Sequence, residues 1–144
     1  MKIQTISWAA LLLLSYIVPT YAERSARTEL LLSVKEVMTA IVVPMTNIIW
    51  RAQDIQTDAQ WQELENAATA IIAAGNLTAR GGTGSNDDSW ASETDWQQYN
   101  SDMISAARHA ITAIKNKDID ALSEVGNNLL YPPCENCHAK YLQQ

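Results

Sequence analysis

Four stretches of the chain repeat apolar residues at alternating intervals of three and four positions, which is the period of a helix that buries one face. These stripes occupy residues 31–48, 61–75, 96–113 and 119–129. Their members are Leu31, Val34, Met38, Ile41, Met45 and Ile48; Trp61, Leu64, Ala68, Ile71 and Gly75; Trp96, Tyr99, Met103, Ala106, Ala110 and Ala113; and Ile119, Leu122, Gly126 and Leu129. Four amphipathic helices bury their apolar faces most simply as an antiparallel four-helix bundle.

The limits of these helices are predicted from capping residues and from one polar segment. Hydroxyls in 57–60 and 92–95 are expected to accept from the first amides of the second and third helices, and Asp118 to do so for the fourth. Residues 80–91 are rich in Gly, Ser, Asn and Asp, which predicts a long, acidic and mobile crossover loop.

Prolines interrupt two of the stripes. Pro44 has no amide proton, and its ring would clash with the carbonyl of Ala40, so the first helix is expected to kink or split there. Pro132 and Pro133 end the fourth stripe just before Cys134. The last segment is therefore expected to begin a new helical turn.

Composition limits the chain to one acidic domain. A length of 144 residues with 47% apolar content suits one core, and five glycines and four prolines are too few for the turns of a β-sandwich or barrel. Sixteen acids against ten bases give a net charge of −6, which argues against nucleic-acid binding. Acids such as Asp87 and Asp88 are expected to be solvated. No paired-carboxylate or triad spacing indicates an enzyme.

Residues 1–22 have the pattern of a secretory signal, with Lys2, an apolar run over 8–18 and a small residue before the cut. A retained membrane anchor is the alternative, but the run is shorter than the ~20 residues of a spanning helix, and Pro19 interrupts its end. Cleavage leaves residues 23–144, with nine bases, sixteen acids and a formal charge of −7. The expected compartment is an oxidising periplasm, and the mature chain is not expected to span the membrane.

The segment Cys134-Glu135-Asn136-Cys137-His138 has the spacing of c-type haem attachment. On a helix, positions i and i+3 share a face, so both thiols reach the two vinyl groups on one edge of a haem, and His138 follows as the proximal iron ligand. A disulfide, a thioredoxin-like pair and a zinc site are the alternatives. The disulfide would close a very small loop, the redox pair needs a βαβ setting, and zinc needs a fourth ligand that only His109 remains to supply.

A secreted four-helix chain with one such motif near its C-terminus resembles the class II c-type cytochromes, the family of cytochrome c′ and its low-spin relatives. Class I cytochromes carry the motif near the N-terminus instead. The resemblance covers residues 23–144, and the run 37–50 and Tyr141 share it more loosely. It implies one covalent haem c inside the bundle, redox proteins as partners and a homodimer through the first two helices.

In the low-spin branch of that family a methionine on the first helix is the sixth iron ligand, and Met38 matches its position. The function implied is single-electron transfer with His138 and Met38 as axial ligands. In cytochrome c′ the position is non-ligating, and the alternative is an open site that binds nitric oxide or carbon monoxide. Met45, Met103 and His109 are weaker candidates for the sixth position. A third hypothesis is a haem-free helical adaptor with a redox-active cysteine pair.

Large aromatic side chains stand at or beside stripe positions, where most are expected to pack in the core and one or two to contact the porphyrin. They are Trp50, Trp61, Trp96 and Tyr99. Lys140 and Arg108 are candidates to pair with the haem propionates or with a partner, although each is more often a solvated charge.

Overall fold

The computed structural model describes residues 30–142. The predicted secretory signal, residues 1–22, lies outside the described residues. Between residues 30 and 142 the chain forms helices and no β-strand, which confirms the prediction of an all-α protein.

Five helices follow one another along the described residues. Helix α1 begins with Val34–Val37, widens into a π segment at Met38–Val42 and continues as Val43–Trp50. Helix α2 is Asp58–Thr78, α3 is the short Asp87–Ala91, and α4 is Thr94–Lys115. Helix α5 begins with Ile119–Val125, passes through a π segment at Gly126–Leu130 and ends with Tyr131–Tyr141. None of these helices combines the length and apolar content needed to cross a membrane.

Two of the three predicted caps are present. Thr57 starts α2 in a capping box, and the carboxylate of Asp118 accepts from an amide in the first turn of α5 at 2.9 Å. The prediction for the third stripe was wrong, because α4 begins after Glu93 without a side-chain cap. The hydroxyl of Ser92 donates instead to the carbonyl of Ser89.

Contacts at the helix ends give the directions of neighbouring helices. Asp58 at the start of α2 pairs with Lys117, just after α4, at 2.6 Å. At the other end, the indole of Trp96 in α4 donates to the carbonyl of Thr78 in α2 at 2.8 Å. Helices α2 and α4 are therefore antiparallel, and they form the most extensive helix pair. Helix α5 is antiparallel to α4, because Lys140 near its end bonds the residue that precedes α4.

The stripes predicted for α2 and α4 are confirmed. Their buried members are Leu64, Ala68, Ile71, Gly75, Trp96, Met103, Ala106, Ala110 and Ala113. Trp61 and Tyr99 are half-buried. A Cβ on Gly75 would lie 2.6 Å from Cγ1 of Ile104, so this glycine lets the two helices approach closely.

The stripes predicted for α1 and α5 hold only as far as the π segments. Leu31 is exposed, whereas Val34 is buried as predicted. From the first π segment onward, the fully buried residues are Val42, Thr46 and Ile49, whereas the predicted Ile41, Met45 and Ile48 are half-buried against the core. Beyond the start of the second, Leu130 is buried in place of Leu129. A π turn holds one residue more than an α turn, and it therefore shifts the buried face by one position.

Neither proline site interrupts its helix. The amide of Val43 donates to the carbonyl of Met38 five residues earlier, just ahead of Pro44, and the wider turn replaces the expected kink or split. In α5, the amide of Tyr131 donates in the same way to the carbonyl of Gly126. Pro132 and Pro133, where a new helical turn was expected, lie at the start of Tyr131–Tyr141. This part follows the π segment directly, so α5 continues as one helix.

The predicted crossover loop, residues 80–91, contains α3 and a buried acid. Asp87 is only 4% exposed, and its Oδ2 accepts from the amides of Val34 and Gly84, both at 2.8 Å. The expectation that Asp87 is solvated was therefore wrong, whereas Asp88 is exposed as expected. The carboxylate satisfies an unpaired amide in the first turn of α1 and lies at the positive end of that helix.

We predict that Asp87→Ala lowers the free energy of unfolding by about 2–6 kcal/mol, because two amides lose their acceptor at roughly 1–3 kcal/mol each. Urea unfolding followed by circular dichroism measures the change. Asp88→Ala, at the exposed neighbouring position, is the control and should change the stability by less than about 0.5 kcal/mol. Equal effects of the two substitutions would contradict the structural role of Asp87.

Candidate cofactor-binding site

The structure brings together site residues that are remote in the sequence. Cys134, Cys137 and His138 in the last part of α5 line one cavity with Met38 of α1. The cavity measures about 70 Å³ and lies between α1, α4 and α5; we call it the inner cavity. Its other lining residues are Val42, Val43, Thr46, Tyr99, Asn100, Met103 and Pro133.

A larger space adjoins the inner cavity. This outer cleft measures about 470 Å³ and shares Met38, Val43, Cys137 and His138 with the inner cavity. The rest of its wall is Val34, Lys35, Thr39, Trp90, Trp96, Tyr141 and Leu142. Ligand pockets in proteins typically measure about 300–1,000 Å³. The two spaces together therefore have the size for a large cofactor, whereas the inner cavity alone does not.

Cys134 and Cys137 are free, half-buried thiols one turn apart on α5. The thiol of Cys134 donates to the carbonyl of Leu130 at 3.2 Å. Burial raises the pKa of both thiols, and that of Cys137 reaches about 11 because the neighbouring Cys134 adds to the effect. Thiols that stay protonated at neutral pH are poor nucleophiles, so the pair lacks the low pKa typical of thiol–disulfide oxidoreductases.

The candidate axial ligands differ in exposure. His138 is exposed and borders both spaces, and Met38 is half-buried at the first position of its π segment. Of the weaker candidates, Met103 also lines the inner cavity, from α4, whereas Met45 and His109 lie outside its lining. Within residues 30–142, no three His, Cys, Asp or Glu side chains are grouped so that they could hold a metal ion by themselves.

Three aromatic side chains form one wall of the outer cleft. Trp90 and Trp96 stack with ring centroids 5.5 Å apart, and Tyr141 contacts both rings at 5.6 and 5.0 Å respectively. Trp96 and Tyr141 are buried. Of the aromatic residues expected in the core, Trp96 thus borders the outer cleft and Tyr99 the inner cavity.

Glu93, Asp95, Lys140 and Tyr141 tie the end of α5 to the start of α4, and we call this group the polar latch. The ammonium of Lys140 lies 2.7 Å from Oε2 of Glu93 and 3.1 Å from Oδ2 of Asp95, and the hydroxyl of Tyr141 donates to Oε2 of Glu93 at 2.9 Å. Hydrogen bonds from Lys140 and Tyr141 hold the pKa of Glu93 below its usual 4.5. The latch restrains the turn of α5 that carries His138. Lys140, a predicted partner of haem propionates, is therefore already paired within the chain.

Polar side chains beside the inner cavity are bonded to the protein. The hydroxyl of Thr46 donates to the carbonyl of Val42 at 2.9 Å. The amide of Asn100 donates to the carbonyl of Trp96 at 2.8 Å, and its oxygen accepts from the hydroxyl of Thr78 at 2.6 Å. Among the described residues, no buried side-chain nitrogen or oxygen lacks a partner. The cavity therefore offers a mainly apolar surface to a ligand.

Several site residues were not identified from the sequence. Val43 and Thr46 lie outside the predicted stripe because the π segment rotates the second half of α1. The signal in the sequence for this irregular turn was a proline inside an apolar stripe. Asn100 had no local signal. The latch pair Glu93 and Lys140 joins residues far apart in the chain, so no sequence pattern marks it.

No family model, curated protein or solved structure matches this chain. What the site binds is therefore inferred from its residues and their geometry.

We predict that iodoacetamide modifies Cys134 and Cys137 of the cofactor-free protein more slowly at neutral pH than it modifies the urea-unfolded chain. The thiolate is the reacting form, and burial disfavours it. The rate at Cys137 should keep rising with pH toward about 11. Mass spectrometry of the tryptic peptides measures both rates. A rate that levels off near the usual thiol pKa of 9.0 would contradict the prediction.

We predict that acid weakens the polar latch. Because the pKa of Glu93 is lower in the folded state than 4.5, its stabilisation is fully present above pH 4.5 and is lost as the pH falls through the folded-state value. In urea unfolding, Glu93→Gln should therefore differ from the native protein most at neutral pH and least in acid. Glu63→Gln, exposed on α2, is the control. A difference that is constant with pH would count against this role.

Proposed function

We propose that this protein is a periplasmic c-type cytochrome of the class II family, which binds one covalent haem c and transfers single electrons. One observation carries the proposal: Met38 lines the same cavity as Cys134, Cys137 and His138. A disulfide, a zinc site or a haem-free adaptor would make no use of the methionine sulfur that α1 places beside the motif.

The four residues suit the roles that haem requires of them. Cys134 and Cys137 would anchor the haem through thioether bonds, and His138 would be the proximal iron ligand. Met38 would be the distal ligand, and a thioether in this position raises the potential. When bound, the haem supplies the one-electron couple of its iron.

The chain itself anchors, orients and shields the site. Val42, Met103 and Pro133 give the inner cavity apolar walls. The hydrogen-bonded Thr46 and Asn100 leave few polar atoms to hold water there. Trp90, Trp96 and Tyr141 give the outer cleft an aromatic wall, of which the half-buried Trp90 is the most accessible ring. The polar latch keeps His138 from moving with a frayed helix end.

The proposal extends to the fold. Helices α1, α2, α4 and α5 would be the four helices of the bundle, with α3 in the crossover between the second and third. The antiparallel packing of α2 with α4 and of α4 with α5 supports this arrangement. Cofactors of helical bundles are held by side chains on facing helices, as Met38 and the motif on α5 would do.

We also propose that the protein is an electron carrier and not an enzyme. The side chains of the inner cavity are accounted for as haem ligands or as its mainly apolar wall, which leaves none assigned to catalysis. Residues 1–22 would direct the chain to the periplasm, where redox proteins would be its partners. A homodimer through α1 and α2 belongs to the same proposal.

The outer cleft supports one alternative. Because it adjoins Met38 and His138, a Met38 that does not ligate would leave room for a diatomic ligand. The protein would then be a five-coordinate, cytochrome c′-like binder of nitric oxide or carbon monoxide.

We predict that periplasmic protein gives the pyridine haemochrome spectrum of c-type haem, with one haem per chain. The oxidised protein should show the weak near-infrared band of methionine–iron ligation. Met38→Ala should abolish this band, because the substitution removes the distal sulfur. Met45→Ala, seven residues further along α1 and outside the inner cavity, is the matched control and should retain the band.

Each other outcome selects a different hypothesis. A haemochrome spectrum without a c-type signal would exclude both cytochrome functions. A high-spin ferrous protein that binds carbon monoxide readily would favour the gas-binding alternative. An unchanged band in Met38→Ala would reject Met38 and make Met103→Ala the next variant to measure.

A further inference from the structure

The two helices that carry the proposed ligands contain the same irregular unit. In α1 the π segment Met38–Val42 is followed at the second position by Pro44, and in α5 the π segment Gly126–Leu130 is followed at the second position by Pro132. Helices α2 and α4 have neither feature. π turns are rare and occur often at functional sites. The first of these two, in α1, includes Met38 and Val42 of the inner cavity, which points to a role for it in the site.

The first π segment brings Met38 and Val43 to one face of α1. Both residues line the inner cavity and the outer cleft, although they are five positions apart. An α-helix turns by about 100° per residue, so residues five apart would differ by about 140° and face different sides. A π turn bonds each amide to the carbonyl five residues earlier, as Val43 does to Met38, and so nearly superimposes the two residues.

Both ends of α1 are held in place independently of this turn. Asp87 binds the amide of Val34 at 2.8 Å. At the other end the indole of Trp50 donates to the carbonyl of Gly126 at 2.9 Å, and a Cβ on Gly126 would lie 3.2 Å from Cδ1 of Trp50. Because neither end rotates freely, replacing the π turn by an α turn can rotate only residues that lie between Val34 and Trp50. Met38 is one of these residues.

We infer that Pro44 is a positioning residue that turns Met38 toward the site. In an α turn the proline ring would press on the carbonyl of Ala40 and offer it no amide, whereas the wider π turn relieves this clash. Alanine at position 44 makes the α turn available, because its amide bonds the carbonyl of Ala40. Met38 then rotates away from the face of Val43. The inference rests on the proposed function, since it concerns the presentation of the distal ligand.

The test begins with a readout that does not depend on haem. In the purified native chain, NMR should show a short-range contact between Hα of Met38 and the amide proton of Val43, which a π turn brings together. Pro44→Ala should lose this contact. Asn47→Ala, on the same helix and outside the lining of both spaces, should keep it.

The second readout is the near-infrared band of methionine–iron ligation. Pro44→Ala should weaken or lose the band with unchanged haem content, because Cys134, Cys137 and His138 lie on α5, while Asn47→Ala should retain it. A merely structural role for Pro44 would move the unfolding midpoint and leave the band in place. Retention of the band in Pro44→Ala, with or without the NMR contact, would overturn the inference. If the native protein itself lacks the band, ligation by Met38 fails, and the NMR contact alone decides whether Pro44 orients Met38.

Discussion

A proline inside a helix has no amide proton to donate, and α1 and α5, two of the three helices that border the site, must accommodate this. Each widens into a π turn just ahead of its proline and then continues. The two turns are coupled, because Trp50 at the end of α1 bonds the carbonyl of Gly126, where the π segment of α5 begins. The extra residue in each helix decides which side chains face the core, and therefore which of them meet around the inner cavity.

The remaining contacts hold this pair of helices in place. Helices α2 and α4 pack closely where Gly75 meets Ile104 and form a regular support without irregular turns. Asp87 fixes the beginning of α1 from the crossover segment, and the polar latch fixes the end of α5 against the start of α4. The site thus lies between α1, α4 and α5. Charged side chains restrain the start of α1 and the end of α5, and the end of α1 meets the middle of α5 at Trp50 and Gly126.

The success of the sequence-based predictions follows the regularity of each helix. The stripes of α2 and α4 were correct because a template with constant spacing describes a helix with a constant turn. In α1 and α5 the same template is one position out after the π turns, because a constant spacing cannot include an extra residue. Ile49 and Leu130 are therefore more deeply buried than the predicted Ile48 and Leu129. The prediction that Asp87 is solvated was wrong for a different reason. Its burial depends on a hydrogen bond from the amide of Val34, which lies 53 positions away in the sequence.

The sequence by itself determined that the protein is helical and acidic, and it selected Cys134, Cys137, His138 and Met38 as the residues to examine. Spacing and residue chemistry are local properties, so they can be read directly from the sequence. Only the tertiary structure decided that these residues share a cavity, that Val43 and Asn100 join them and that Glu93 secures the end of α5. These are contacts between distant segments, and Val43 joins them through the rotation that a π turn imposes on the rest of its own helix.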